Sequence, residues 1–304
     1  SSIPREVSNS YLRAFDKLGC SKVHVMDLRD RKESERPENL ELIGNAQCVM
    51  FSGGNQSKIT AKIGSTKLHD VLLDRYKKDA LVIAGPSAGA MCMSSEMIAG
   101  GSSTESFIKG AVKMDTGMGF ISNLIIDSHF IRRGRFGRLA EAVAKYPDMM
   151  GIGLAEDTGL VIKNSSTFEI IGSGMVIMFD PRKLKHNNEK VLEKGTPMSL
   201  INLKTHVLAN GDLFNLKKGK VNVLPIDAPF PTSLFVLILI CSPPSDALQA
   251  LYIPSVLNGI VILPSVSTAI KPPSPPMFNK RFWISSLAAS LSDKFLYSIR
   301  QDRS

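Results

Sequence analysis

The sequence predicts an α/β domain over residues 1–218, with a mostly parallel β-sheet and helices on both of its faces. Apolar, strand-like runs alternate with amphipathic segments along this range, which is typical of parallel strands joined by helices. The 304 residues are 43% hydrophobic, which is enough apolar mass for a substantial core. Gly259 is the only one of the 23 glycines beyond residue 221, so the glycine turns of such a domain are confined to this range.

The predicted elements alternate in order along the chain. Pro4 in a first turn and Gly19 directly after Leu18 mark the two ends of the first helix. After it we predict strands at 22–28, 47–51, 80–84, 123–127 and 151–155, and helices at 37–45, 67–78, from 88, and at 137–146. Short strands at 160–163, 167–171, 175–179 and 204–208, with a turn at Asn210-Gly211, then predict an antiparallel edge.

The composition changes beyond residue 218. Eleven of the 17 prolines lie at or after Pro225, and charged residues become sparse there. We therefore predict that residues 219–304 are a Pro-rich extension of unknown or irregular structure, with a polyproline-like stretch at 272–276. Only residues 282–299 have helical potential.

Several classes of function are disfavoured by composition. The net charge is +9, but basic and acidic residues are interleaved and no basic run alternates with aromatic residues, which argues against a nucleic-acid partner. The longest apolar run, 234–241, has eight residues, whereas a membrane helix needs roughly 20. The four widely spaced cysteines have no histidine partner at metal-binding spacing, so we predict neither a metal site nor a cofactor. A cytoplasmic location is favoured, and a homodimer remains open.

The segment Gly85-Pro86-Ser87-Ala88-Gly89 is the sharpest motif. A G-x-S-x-G match alone is weak, but this one lies between an apolar strand and a small-residue helix start. That context is typical of a nucleophile elbow, in which a strained turn exposes the serine hydroxyl. Backbone N–H groups at the start of the helix can then stabilise an oxyanion.

A nucleophilic serine needs a base and an acid that orients it. Of the five histidines, His129 directly follows the predicted strand at 123–127, whereas His24 and His69 fit structural or solvated roles and His186 and His206 lie in a less organised region. Either Glu156 or Asp157, directly after the strand at 151–155, can supply the carboxylate. Parallel strands place their carboxyl ends at one edge of a sheet, where ligands bind, so we expect these groups to lie close together. The order serine, histidine, acid differs from the α/β-hydrolase order of serine, acid, histidine, which disfavours that fold.

With these motifs, residues 1–216 resemble the cyanophycinase family, serine exopeptidases related to dipeptidase E. Four sequence blocks carry the resemblance, and they occur in the family's order and close to its spacing. They are Gly53-Gly54-Asn55-Gln56, Gly85 to Ala90, Asp127-Ser128-His129-Phe130 with Arg133, Arg135, Gly137, Arg138 and Leu139, and Gly151 to Thr158.

The resemblance implies a flavodoxin-like fold of the class I glutamine amidotransferase type. It also implies hydrolysis of cyanophycin, a polyaspartate that carries arginine on its β-carboxyl groups, to β-aspartyl-arginine dipeptides. By the same resemblance, Ser87 is the nucleophile, His129 the base and Glu156 the acid. The implied substrate-binding residues are Gly54, Asn55, Gln56, Ala88, Asp127, Arg133, Arg135 and Arg138. Arginines suit such a substrate because a guanidinium pairs bidentately with a carboxylate.

Two departures from the family pattern leave alternatives open. The family has at least one strand and helix before the region that matches Ser1, so we expect this sequence to be truncated at its start, without a strand that would be central in the sheet. Residues beyond about 218 show no resemblance. The alternatives are an aspartyl dipeptidase acting on α-linked Asp-Xaa dipeptides and a truncated, non-catalytic remnant of the family.

Overall fold

The computed structural model describes residues 4–78, 81–101, 107–163, 165–185, 187–223, 236–241 and 260–263. The predicted features at His186, 272–276 and 282–299 lie outside these residues. Within them, the α-helices are α1 (Pro4–Lys17), α2 (Pro37–Asn45), α3 (Gln56–Ile63), α4 (Lys67–Lys78), α5 (Ala88–Met91) and α6 (Phe136–Lys145). Short 3-10 helices cover Arg31–Glu35 and Pro181–Lys183.

The strands of the described residues form three sheets. Their bounds are β1 (Val23–Val25), β2 (Cys48–Phe51), β3 (Val82–Pro86), β4 (Glu96–Gly101), β5 (Val112–Thr116), β6 (Leu124–Ser128), β7 (Met150–Leu154), β8 (Thr158–Lys163), β9 (Thr167–Gly172), β10 (Val176–Asp180), β11 (Lys204–Leu208), β12 (Leu213–Asn215), β13 (Lys220–Asn222), β14 (Val236–Cys241) and β15 (Ile260–Leu263). The largest sheet has the order β1-β15-β2-β3-β14-β8-β9-β12-β13, the second β11-β10-β7-β6, and β4 pairs with β5 alone.

The predicted α/β class is confirmed, with helices on both faces of the main sheet. Residues alternate along β2: Cys48 and Met50 pack with Tyr11 and Phe15 of α1 on one face. Val49 and Phe51 pack into a large core on the other face, together with apolar side chains of α2, α3 and α4. This period of two is that of a strand buried on both sides.

The expectation that all the site-bearing strands lie in one parallel sheet is wrong. β2 and β3 are parallel neighbours in the main sheet, whereas β6 and β7 are parallel neighbours in the second sheet. β14 pairs with β3 on the side away from β2, so β6 has no free edge of β3 to pair with.

Most predicted elements agree with the structure to within two residues, but some were missed. α3 and the β4–β5 hairpin had no sequence-based prediction, and β1 is only three residues long. Asn55 accepts a hydrogen bond from the N–H of Lys58 and so caps α3, a local signal that was present in the sequence.

Three described segments of the predicted extension are strands of the main sheet, and β13 lies at its edge beside β12. β14 lies between β3 and β8, and β15 lies between β1 and β2, in both cases parallel to the strands that carry the site edge. Most of residues 219–304 lies outside the described part of the chain, so the boundary at residue 218 stays a prediction.

Candidate active site

Ser87 lies at a sharp turn between β3 and α5, with φ 52° and ψ −114°. This backbone is strained for any residue other than glycine. The flanking glycines allow the turn to close: a Cβ on Gly85 would lie 2.7 Å from the carbonyl carbon of Gly89, and a Cβ on Gly89 would lie 2.0 Å from the carbonyl oxygen of Phe51. The G-x-S-x-G motif therefore forms the strained elbow that its spacing predicts.

The structure brings Ser87, His129 and Glu156 together from the ends of three strands. Ser87 Oγ lies 3.0 Å from Nε2 of His129, and Nδ1 of His129 lies 3.2 Å from Oε1 of Glu156. The side chains of His129 and Glu156 are 21% and 32% exposed, so solvent reaches the group. Both distances are within hydrogen-bonding range, and the imidazole can accept a proton from Ser87 at Nε2 while its Nδ1–H donates a hydrogen bond to Glu156.

The surroundings of His129 lower the pKa of its imidazole. Burial lowers the pKa of His129 below the ordinary value of 6.5, and the positive charges of Arg133 and Arg135 act in the same direction. The hydrogen bond and the charge of Glu156 oppose these effects but do not cancel them. A neutral imidazole at neutral pH is the form that can take a proton from a hydroxyl group.

Asp127, at the end of β6, lies beneath the turn that carries His129. Its side chain is 0% exposed, and it accepts hydrogen bonds from Nε of Arg138 at 2.6 Å and from Arg135 at 3.0 Å. Arg135 also donates to the carbonyl oxygen of Ser128 at 2.6 Å. Arg135 and Arg138 are themselves only 13% and 7% exposed, and both pair with Asp127. Contact of these three side chains with a substrate stays a prediction.

Other residues of the predicted pocket are more accessible. Gly54, Asn55 and Arg133 are exposed, and Arg133 is close enough to lower the pKa of His129. Gln56 is half-buried, and its amide donates to the carbonyl oxygen of Ile98 at 2.7 Å. Ala88 is buried, so its side chain is not open to solvent.

The acid that faces His129 is Glu156, whereas Asp157 points elsewhere. The carboxylate of Asp157 accepts a hydrogen bond from the Ser173 hydroxyl, on the segment between β9 and β10. Asp157 has a φ of 48°, and this turn sends the two adjacent carboxylates in different directions. The sequence left open whether Glu156 or Asp157 faces His129, and the backbone conformation at Asp157 determines that it is Glu156.

The other described histidines lie in structural or exposed positions. Nε2 of His69 lies 2.7 Å from the carbonyl oxygen of Met118, His24 is exposed on β1, and His206 packs edge-on against Phe214. In the described ranges, no group of three or more His, Cys, Asp or Glu side chains is arranged to hold a metal ion. No helix in that part of the chain is both long enough and apolar enough to cross a bilayer.

Two residues near the site had no sequence-based prediction. Tyr11 of α1 is buried and hydrogen-bonded to the backbone of Gly53, next to the predicted pocket residue Gly54. Thr158 is fully buried, and its hydroxyl donates to the carbonyl oxygen of Glu156 at 2.9 Å. No pattern in the sequence signals these contacts, since one crosses between distant segments and the other depends on the turn at Asp157.

A strained serine that is hydrogen-bonded to an imidazole, which is in turn hydrogen-bonded to a carboxylate, defines the site as that of a serine hydrolase. The sequence model described as Peptidase family S51 matches residues 3–170. The chain belongs to this family of peptidases, and it is a serine-type peptidase.

Similar proteins with the name cyanophycinase support this assignment. A protein named cyanophycinase from Trichormus variabilis is 36% identical over 218 residues, which are 72% of this chain and 73% of the relative. A cyanophycinase from Geminocystis herdmanii is 34% identical over 214 residues, 70% of this chain and 79% of the relative. A crystal structure of a peptidase from an acI-B1 Actinobacterium is more distant, with 17% identity, a TM-score of 0.42 and coverage of 67% of this chain and 91% of that one.

Proposed function

We propose that the chain is a serine exopeptidase that hydrolyses cyanophycin to β-aspartyl-arginine dipeptides. The observation that carries the proposal is the hydrogen-bonded series from Ser87 through His129 to Glu156 at a strained elbow. The substrate comes from the relatives named cyanophycinase, which are 36% and 34% identical to this chain.

In the proposed reaction, Ser87 Oγ attacks the scissile carbonyl carbon while Nε2 of His129 takes the hydroxyl proton. Glu156 accepts the Nδ1–H hydrogen bond, which holds the imidazole in the required tautomer and stabilises the imidazolium. His129 then gives its proton to the leaving amine, and an ester between Ser87 and the substrate acyl group remains. A water molecule, deprotonated by His129, attacks this ester and restores the serine.

The negative oxygen of the tetrahedral intermediate needs donors that are in place beforehand. We assign this role to the backbone N–H groups of Ala88 and Gly54. Gly54 belongs to the strand end beside the elbow, since a Cβ on its neighbour Gly53 would lie 3.7 Å from the Cβ of Ser87. To Arg133, which is exposed and close enough to His129 to lower its pKa, we assign the pairing with a carboxylate of the substrate.

The proposal is tested by incubating the protein with purified cyanophycin and detecting β-aspartyl-arginine by mass spectrometry. We expect Ser87→Ala to abolish dipeptide release, because no other group takes over the nucleophilic step. Ser122→Ala is the matched control, since Ser122 is exposed at the opposite end of β6, and it should behave as the wild type.

Two further measurements separate the alternatives. Faster turnover of α-linked Asp-Xaa dipeptides than of cyanophycin would favour the aspartyl dipeptidase. Stoichiometric labelling of Ser87 by a fluorophosphonate, together with a cooperative thermal melt, is expected for the enzyme, and the absence of both would indicate a non-catalytic remnant. A homodimer and a cytoplasmic location stay predictions.

A further inference from the structure

Glu156 lies on a connector between sheets, in neither a helix nor a strand. Residues 155–157 leave β7 in the second sheet and enter β8 in the main sheet. Residues 173–175 connect the same two sheets in the opposite sense, from β9 to β10. The two connectors lie side by side, because β10 pairs with β7 and β8 pairs with β9.

Backbone hydrogen bonds tie the two connectors together. The N–H of Ala155 donates to the carbonyl oxygen of Met175 at 3.1 Å, and the N–H of Ser173 donates to the carbonyl oxygen of Asp157 at 2.9 Å. The Ser173 hydroxyl also donates to the Asp157 carboxylate. Glu156 is thus flanked on both sides by residues that the second connector holds.

Gly174 lies directly against the connector that carries Glu156. A Cβ at this position would lie 2.4 Å from the carbonyl oxygen of Glu156 and 2.3 Å from Oγ1 of Thr158. These distances are far below van der Waals contact, and the atoms concerned belong to a backbone carbonyl and to a fully buried side chain. No side chain fits between Gly174 and Glu156 unless the backbone of Glu156 moves.

We propose that Gly174 and Thr158 are positioning residues that place the Glu156 carboxylate against Nδ1 of His129. Gly174 lets the second connector lie directly against the peptide of Glu156, and the Thr158 hydroxyl holds the carbonyl oxygen of the same residue. The inference rests on the proposed roles of Ser87, His129 and Glu156. It adds the residues that hold the Glu156 carboxylate in position beside His129.

The first test is Gly174→Ala in the full chain, with kcat and KM measured on cyanophycin. Active sites are counted by fluorophosphonate labelling, so that a loss of folded protein does not count as a loss of turnover. We expect kcat to fall by about tenfold or more with KM within about twofold, because a displacement of about 1 Å in a catalytic group has large kinetic effects. Gly44→Ala is the matched control, since a Cβ at Gly44 of α2 meets no atom within 4 Å, and it should leave both constants unchanged.

A second readout needs no turnover. Glu156 raises the pKa of His129, so a displaced Glu156 should lower the pKa of His129 measured by NMR titration of its imidazole in the resting protein. A purely structural role of Gly174 would reduce the yield of folded protein and leave this titration unchanged. The titration also separates the two proposals: inactive wild-type protein whose His129 titration still responds to Gly174→Ala would refute the proposed function and retain the positioning role.

A pair of substitutions at Thr158 covers the case in which Gly174→Ala does not fold. Thr158→Ser keeps the hydroxyl and should retain wild-type kcat and His129 titration, whereas Thr158→Val keeps the shape, loses the hydrogen bond to Glu156, and should lower both. The inference is overturned if Gly174→Ala folds with unchanged kcat and titration, or if the Ser and Val variants at Thr158 are indistinguishable.

Discussion

The base and the acid of the candidate site are held in place by different kinds of interaction. The turn that carries His129 rests on side-chain charges, with the buried Asp127 between the guanidinium groups of Arg135 and Arg138. The connector that carries Glu156 is held by backbone hydrogen bonds and by the absence of a side chain at Gly174. We call the turn that carries His129 the base arm and the connector that carries Glu156 the acid arm. The difference teaches that the two arms are vulnerable to different changes: loss of charge in the base arm and added volume in the acid arm.

The largest effect on stability is expected from Asp127→Asn. This change leaves two arginines buried without their counter-charge, and breaking a buried pair in this way costs about 3–5 kcal/mol in the free energy of unfolding. The measurement is urea denaturation. Asp74→Asn is the matched control, because Asp74 pairs with Lys78 on the exposed face of α4 and such pairs contribute about 0.5 kcal/mol. Equal losses in the free energy of unfolding for the two substitutions would contradict the inference that charges on Asp127, Arg135 and Arg138 hold the base arm in place.

The next effect concerns turnover and tests the acid arm. Glu156→Gln should lower kcat by about a hundredfold or more, because an amide cannot stabilise the imidazolium and can present the wrong partner to Nδ1. The fold should survive, since Glu156 is partly exposed and its backbone contacts do not involve the carboxylate that is changed. Asp157→Asn, at the adjacent carboxylate that faces Ser173, should have a much smaller effect on kcat. A larger loss of kcat with Asp157→Asn than with Glu156→Gln would show that Glu156 is not the acid.

The smallest effect is expected on the pH dependence of activity, through the pKa of His129. Arg133 lowers the pKa of His129, so Arg133→Gln should raise it and move the acid limb of kcat/KM to higher pH. The effect should be clearest at low ionic strength, because Arg133 is exposed. Its neighbour Arg132, also exposed, supplies the control Arg132→Gln, which should move the limb less.

Stability should follow the same titration. The folded protein binds a proton on His129 less tightly than the unfolded chain does, so the contribution of His129 is fully present above the ordinary pKa of 6.5 and is lost as the pH falls below it. The measurement is the free energy of unfolding at pH 5 and pH 7 for the wild type and for His129→Asn. A variant that loses as much stability as the wild type between these values would contradict a depressed pKa for His129.

Local chemistry explains why part of the site was predictable. The elbow at Ser87 depends on two glycines within two residues of it, and His129 directly follows a strand. The choice of Glu156 over Asp157 depends on the positive φ of Asp157, which no local pattern of the residues indicated. The burial of Asp127 was also not predictable, because a carboxylate at a strand end reads equally as a ligand for substrate and as a partner for arginines of the following helix.

The sequence by itself determined the α/β class, the elbow and the order of serine, base and acid, because alternating apolar runs, glycine spacing and the positions of strand ends are local properties of the chain. Only the tertiary structure decided that the strands belong to two sheets, that Asp127 faces arginines, and that Gly174 packs against Glu156. These features come from contacts between segments distant in the sequence, such as β14 beside β3, and the geometry of such contacts depends on how all the packed elements fit together.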